Sequence, residues 1–408
     1  MKGGRMRYDE PGRDSADTSS GIPSAVLENV FDDPVHGEPG RDRLGVHVVW
    51  EIMLLAGLAG VGYLLWREAP GTFRGDGLRG LLVDAVVLGL LVLAAGLSLR
   101  AAVVNLAIGP VAVAAALHVA EQGDRGMGVA VGLALAAAAL GGLLLALAVV
   151  VLHVPAWAAS LAAGAGAVVF IERRSTPVIP QGGYDPTGDA VYLAAGFAAV
   201  AVLGGLFGAL RPVRRLGGRF RPVVDPARRR GVLAAVVAGG ALVVSTVLAV
   251  LAGALLATGG AGPVVPATGL DWTVLAVGTS LLAGTSAFGR RGGILGTPLA
   301  VALVTLVVTD LRSEGHSVSR WAVGAAALGV GLVVTRLVEA YGRPRAGGSV
   351  ADRGLDPDGR ISTGWAVTRA DPIGDWPPAL PTQSVENPVD PWGVPQWDAD
   401  RRWDSGGR

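Results

Sequence analysis

RPVRRLGGRFRPVVDPARRRGVLAAVVAGGALVVSTVLAVLAGALLA, Arg211 to Ala257, holds the reading of the whole chain in one line. Its first part carries Arg211, Arg214, Arg215, Arg219, Arg221, Arg228, Arg229 and Arg230 against the single acid Asp225. Its second part, residues 231–257, contains no charge at all. A bilayer crossing takes about 20 apolar residues, so the second part is a membrane-spanning helix. The positive-inside rule places the arginine-rich connection before it on the cytoplasmic side.

Working outward, further apolar runs bounded by charge, Gly/Pro clusters or Trp lie near 44–66, 78–98, 101–120, 127–152, 155–171, 188–210, 269–287, 293–311 and 319–341. With 231–257 they make about ten spans of an all-α, polytopic transmembrane helical bundle. Trp50, Trp66, Trp157, Trp272 and Trp321 fall at or near span ends, where an indole keeps its ring in the interface. Alternation from the arginine-rich connection puts Arg290 and Arg291 inside as well. The uncharged stretch ATGGAGPVVPATG, residues 257–269, falls outside, and both termini are expected in the cytoplasm. Residues 1–43 and 342–408 are rich in Gly, Pro, Asp and Arg and are expected to be disordered tails around a membrane domain of 44–341. The second tail carries Trp365, Trp376, Trp392, Trp397 and Trp403, which fit either plain disorder or a short motif that docks a partner or the membrane surface. The first apolar run starts too late for a signal peptide.

Composition narrows the function. The chain is 51% hydrophobic and 16% charged, with a mean hydropathy of +0.50, too apolar for a soluble domain. A net charge of +1 gives no bulk attraction to nucleic acid. There is no cysteine, hence no disulfide or thiolate chemistry, and the only lysine is Lys2, so no P-loop lysine exists in the apolar region. His36, His47, His118, His153 and His316 are scattered without ligand spacing, and no nucleophile stands with a base. Neither a metal site, a cofactor nor an enzyme active site is expected.

An ionisable group at membrane depth needs a reason. Glu51, Asp84 and His118 are such groups. They either face other helices or snorkel, or they belong to a proton relay. Two interruptions are more informative. In NLAIGPVAVAAA, Asn105, Gly109 and Pro110 interrupt the third run, where the helix is expected to kink or break, and a broken helix in a membrane lines a cavity or is covered by protein. In GTSAFGRRGGILGT, Gly284 to Thr297, a short span meets two arginines and then glycines, as a tight elbow requires.

At these residues the chain resembles the membrane permease subunits of ABC importers of the ribose/xylose and branched-chain amino acid class. NLAIGPVAVAAALHVA (Asn105–Ala120) is similar to that family's third-span segment. VPAWAASLAAGAGAVVF (Val154–Phe170) resembles its Val-Pro-aromatic helix start. WTVLAVGTSLLAGTSAFGRRGGILGTPLAVALVT (Trp272–Thr305) resembles its short Gly-rich span, Gly-Gly-Arg/Lys-Gly elbow and Gly-Thr helix opening. The family's coupling helix between the sixth and seventh spans is replaced here by the arginine-rich connection, where only DPARRRGV (Asp225–Val232) keeps the pattern.

The resemblance implies a plasma-membrane permease that moves a small polar solute, a sugar first. It implies a homodimer or a heterodimer with a related permease, embedded in membrane lipid. An ABC ATPase subunit and an extracytoplasmic solute-binding protein are the implied partners. Arg211, Arg214, Arg215, Asp225, Arg228, Arg229 and Arg230 would couple to the ATPase. Asn105, Gly109, Pro110, Thr279 and Ser280 are candidates for the solute path, and Gly289, Arg290, Arg291, Gly292, Gly296 and Thr297 form the cytoplasmic elbow. Two other classes fit the same sequence: a permease-fold membrane scaffold without transport, and a proton-coupled secondary transporter.

Overall fold

The structure, a computed structural model, describes residues 44–210, 232–259, 262–287 and 292–341. Each of the ten apolar runs is one helix: α1 (Leu44–Glu68), α2 (Gly75–Arg100), α3 (Ile108–Gln122), α4 (Met127–Val150), α5 (Ala156–Glu172), α6 (Ala190–Ala209), α7 (Val232–Thr258), α8 (Leu270–Leu282), α9 (Gly296–Ser313) and α10 (Arg320–Tyr341). Seven of them, α1, α2, α4, α6, α7, α9 and α10, are long and apolar enough to cross a membrane, which makes the chain a multi-pass helical membrane protein. The other three, α3, α5 and α8, have 15, 17 and 13 residues. At about 1.5 Å per residue, α8 rises only about 20 Å, against a hydrocarbon core of about 30 Å.

Burial is inverted relative to a water-soluble bundle. Leu133, Leu140 and Leu144 on α4 and Leu203 and Phe207 on α6 are exposed, while Ser98, Asn105, Ser160, Ser245 and Thr273 are buried. In lipid that is the favourable arrangement, because apolar side chains gain nothing by leaving the tails and polar ones need partners. The main core gathers Leu88, Leu91 and Val92 of α2, Ile108 and Ala112 of α3, Ala249 and Ala252 of α7, Leu275 and Ala276 of α8, and Ala300, Val301 and Val304 of α9. Alanine and glycine bring the helices close. α8 and α10 run parallel, with Gly324 against Leu275 and Gly331 against Leu281 and Leu282. Gly142 of α4 packs on the backbone of α7 at Val243.

At one end of the bundle, the elbow end, Arg100 closes α2 and donates to the Gly293 carbonyl at 3.5 Å, while Gly205 of α6 lies against Ile294. Among the neighbouring glycines of α6, Gly204 faces open space and Gly208 lies near the Arg100 guanidinium, so the close backbone approach belongs to Gly205. At the other end, Val178 and Val264 exchange backbone hydrogen bonds of 2.9 and 2.8 Å, tying the α5–α6 connection to the strap before α8. Arg174 makes a two-pronged ion pair with Glu121 over the Phe170 ring, and Arg320 donates to Asp271 at 2.6 Å over the Trp272 ring. In the α5–α6 connection, the Thr187 backbone N–H and hydroxyl donate to Asp185 and hold its carboxyl below the usual carboxylate range. Trp66, Trp157 and Trp321 sit exposed at helix ends as expected. Trp50 does not: it is half-buried, and its indole N–H donates to the Leu282 carbonyl at 2.7 Å.

Candidate functional site

The third apolar run is not a helix kinked at Gly109–Pro110. Ala101–Ala107 is irregular backbone, and α3 begins after it at Ile108. Pro110 sits in the first helical turn, where the N–H it lacks has no intrahelical acceptor, so it starts the helix without bending it. The irregular stretch is buried, with Val103 and Asn105 at 0% and 1% exposure, and it includes Ala102 at φ +55°. Unpaired peptide groups at membrane depth cost several kcal/mol each by order of magnitude, so the partners decide whether such a segment can exist.

Those partners come from four helices. The Asn105 backbone N–H donates to Ser98 Oγ of α2 at 3.3 Å, and the Val103 N–H donates to the Ser98 carbonyl at 2.9 Å. Ser160 of α5 accepts from the Leu106 N–H and lies 3.1 Å from the Val104 carbonyl, to which its hydroxyl donates. Asn105 Nδ2 donates to Ser245 Oγ and Thr246 Oγ1 of α7 at 2.8 and 3.3 Å, while its Oδ1 accepts from the Ala107 N–H at 3.1 Å. Thr273 of α8 donates to the Leu106 carbonyl and accepts from the Gly109 N–H, both at 3.1 Å. Asn105 is thus the hub of a polar node.

The node lies at mid-bundle, because Ser245 is the middle residue of the 27-residue α7. Two helices begin there. Gly109 of α3 and Gly269, which precedes α8, meet backbone to backbone; a Cβ on Gly109 would overlap the Gly269 carbonyl oxygen and come 2.6 Å from Thr273 Oγ1. Gly269 adopts φ +74°, a left-handed conformation that glycine alone enters without strain. Two N-terminal ends therefore converge on one level, each with its positive dipole end.

Of the sequence-predicted path residues, Asn105, Gly109 and Pro110 are brought together at this node. Thr279 and Ser280 are not part of it: they lie roughly 9 Å further along α8, six or seven residues beyond Thr273. They are buried at 0% and 1% exposure, and their hydroxyls have no hydrogen-bond partner. Ser280 faces Gly96 of α2. In the elbow, Gly296 packs on the Ala283 backbone, Gly292 lies under the Arg100 guanidinium, and Thr297 is half-buried in the first turn of α9. Gly289, Arg290, Arg291, Arg211, Arg214, Arg215, Asp225, Arg228, Arg229 and Arg230 lie outside the described residues.

Sequence reasoning missed Ser98, Ser160, Ser245, Thr246, Thr273 and Gly269. A signal existed, since Ser245–Thr246 is the one polar pair inside α7 and Ser160 the one hydroxyl of α5.

The three ionisable groups at depth resolve separately. Glu51 of α1 accepts from the Leu295 and Gly296 N–H groups at 2.7 and 3.0 Å, so its carboxylate closes the N-terminus of α9. A carboxylate there stabilises by about 1–2 kcal/mol through hydrogen bonds and the helix dipole. Glu51→Ala is expected to lower the thermal midpoint of the detergent-solubilised protein by roughly 2–5 °C. Glu51→Gln, which keeps the acceptor, should lose about half as much, as read by a dye-based melt. Asp84 lies on the exposed face of α2 within electrostatic reach of Arg312 in the last turn of α9. Glu51 and Asp84 thus attend opposite ends of α9, about 25 Å apart along an 18-residue helix. His118 is one of the two polar residues lining an otherwise apolar cavity between α3, α4, α5 and α7.

Among the described residues no group of three or more His, Asp or Glu is placed to hold a metal ion. No family model, curated protein or solved structure matches this chain. The described residues define a multi-pass membrane bundle, with ten α-helices among them and a broken segment at its centre.

Proposed function

We propose that the chain is the membrane permease subunit of an ABC-type importer, moving a small polar solute, with a sugar favoured, and using ATP hydrolysed on a separate subunit. The observation that carries this reading is the break at Ala101–Ala107, where α3 and α8 both begin at mid-bundle. Discontinuous helices at the midplane are the means by which transporters present backbone groups and helix dipoles to a solute. In this reading the helices of the node rock between an outward and an inward arrangement, and the arginine-rich connection at 211–230 receives the push from the ATPase. Both termini and the elbow face the cytoplasm. A solute-binding protein delivers the solute at the strap end, and two permease chains pair to form the channel.

The proton-coupled alternative needs acids near one another at mid-depth. The placement of Glu51 and Asp84 at opposite ends of α9 speaks against it.

Replacing Arg228, Arg229 and Arg230 together with glutamate is expected to abolish uptake into cells while leaving membrane insertion intact. Co-purification from native membranes in mild detergent should recover an ATPase in comparable molar amount, and the triple variant should lose it. Absence of any ATPase, under conditions that hold a control importer together, would point to the scaffold reading.

A further inference from the structure

Two stretches of the chain repeat one pattern: Pro177-Val178-Ile179-Pro180 in the α5–α6 connection and Pro263-Val264-Val265-Pro266 in the strap before α8. They meet antiparallel, and the two hydrogen bonds that Val178 and Val264 exchange, at 2.9 and 2.8 Å, are the only backbone bonds that join them. The residues on either side keep it so. In an antiparallel ladder the hydrogen-bonded pairs recur at every second residue, so the next ones would be 180 with 262 and 176 with 266. Pro180 and Pro266 stand at those positions, and neither has an N–H to donate. Val178 and Val264 are half-buried, while Ile179 and Val265 are 72% and 62% exposed.

The two sides of this contact are held differently. The α5–α6 side is fastened to the end of α3 on both flanks: Arg174 pairs with Glu121, the Gln181 N–H donates to the Ala120 carbonyl at 2.8 Å, and the Gln181 carbonyl lies against Gly123. The strap has no such fastening. From Gly262 to Thr268, among the described residues, the only hydrogen bonds are the two at Val264. Beyond these, Val264 packs with Val178 and Trp272 over Val113, Leu117 and Ile171. Two prolines restrict the strap's backbone, so it moves as a stiff piece. It leads directly into Gly269, whose left-handed backbone and contact with Gly109 set the start of α8.

We propose that the strap, residues 262–268, is a lid over the seam between α3 and α8, latched by the Val178–Val264 pair: breaking its two hydrogen bonds lifts the strap off Val113, Leu117 and Trp272 and opens a way to the node. The α5–α6 connection is the fixed post and the strap the moving part. Two backbone hydrogen bonds resist opening only weakly, because each freed group bonds water instead. Such a lid closes a site to water until it is needed. Its role deepens the transport reading and rests on it, whereas the opening itself is read without any solute.

The chain has no cysteine, so introduced ones are read without background. In the full chain in detergent, Val113→Cys, buried beneath the lid, is expected to react with a water-soluble maleimide, as followed by peptide mass spectrometry. Adding Val178→Cys/Val264→Cys puts thiols on a hydrogen-bonded pair, whose α-carbons lie about 5.5 Å apart, a distance a disulfide spans. Oxidising that pair should slow labelling at position 113 roughly tenfold, and reduction should restore it. Hydrogen exchange on the unmodified chain needs no variant: the Val178 and Val264 amides should show equal protection, roughly tenfold less than the Gln181 amide. No labelling with the latch reduced, equal labelling with it oxidised, or Val178 and Val264 amides as slow as that of Gln181, overturns the proposal. Where labelling follows the latch but the unmodified chain takes up no solute, the lid stands and the transport reading falls.

Discussion

Gly109→Ala is expected to destabilise the protein by about 3 kcal/mol or more, at the upper end of what an added methyl group does in a packed interior. The added carbon would overlap the Gly269 carbonyl oxygen and lie 2.7 Å from the Thr273 backbone N. These are backbone atoms on a neighbouring element, and they cannot turn aside as a leucine tip can. Relief would require α3 and α8 to separate, which breaks the Gly109–Thr273 and Thr273–Leu106 hydrogen bonds together. Gly269→Ala meets the reverse overlap, with the Gly109 carbonyl carbon 2.6 Å away, and adds the cost of a side chain at φ +74°. Gly60→Ala and Gly132→Ala serve as controls, because a Cβ at either meets nothing within 4 Å. A melt in detergent should show the two node variants lower by about 6–12 °C and the controls within about 1 °C. A Gly109→Ala protein that melts with the controls would mean that the two helix starts do not touch.

The second large effect is expected at Asn105. Its leucine variant keeps the volume, removes the donor to Ser245 and Thr246, and leaves the Ala107 N–H without its acceptor. Ser245 and Thr246 retain their bonds to the Leu242 carbonyl, at 3.0 and 2.7 Å, so they are not stranded. The cost is then that of one orphaned buried N–H plus two lost ties, about 2–4 kcal/mol. A double-mutant cycle isolates the tie. Asn105→Leu combined with Ser245→Ala should cost about 1 kcal/mol less than the sum of the two single variants. Strict additivity in denaturant midpoints would mean that Asn105 holds α7 through nothing it donates.

Much of this architecture was legible from residue order. All ten helices lie where the apolar runs predict them, because in a chain of this composition the main demand on a span is a sufficient length of apolar sequence with few charges. The ends were less legible. The eighth run reads to residue 287, yet α8 stops at Leu282, because Gly284 at φ +85° ends the helix while the apolar composition continues. The third run reads from residue 101, yet α3 starts at Ile108, because apolar side chains do not distinguish a helix from irregular backbone that other helices satisfy. Asn105, Gly109 and Pro110 stood out by type. Their partners did not, since Ser160 and Thr273 lie 55 and 168 positions along the chain from Asn105 and a lone hydroxyl in a span carries no address. Glu51 was visible as an anomaly, and its explanation lay with the Leu295 and Gly296 amides, more than two hundred residues away.

The break before α3 also sets a condition on how the protein is made. Ser98 of α2 is in place before it, but the Leu106 N–H and the Val104 and Leu106 carbonyls need Ser160 and Thr273, and the Asn105 side chain needs Ser245 and Thr246, all of which follow in synthesis, the last by well over a hundred residues. A nascent chain that has just delivered α2 and α3 to the membrane holds a stretch that lipid cannot accept and that no finished neighbour can yet shield. Residues 101–107 must therefore stay in the insertion machinery or in water until α7 and α8 emerge. The centre of the bundle is the last part of it to be completed, and truncations ending before α8 leave that centre open to quality control.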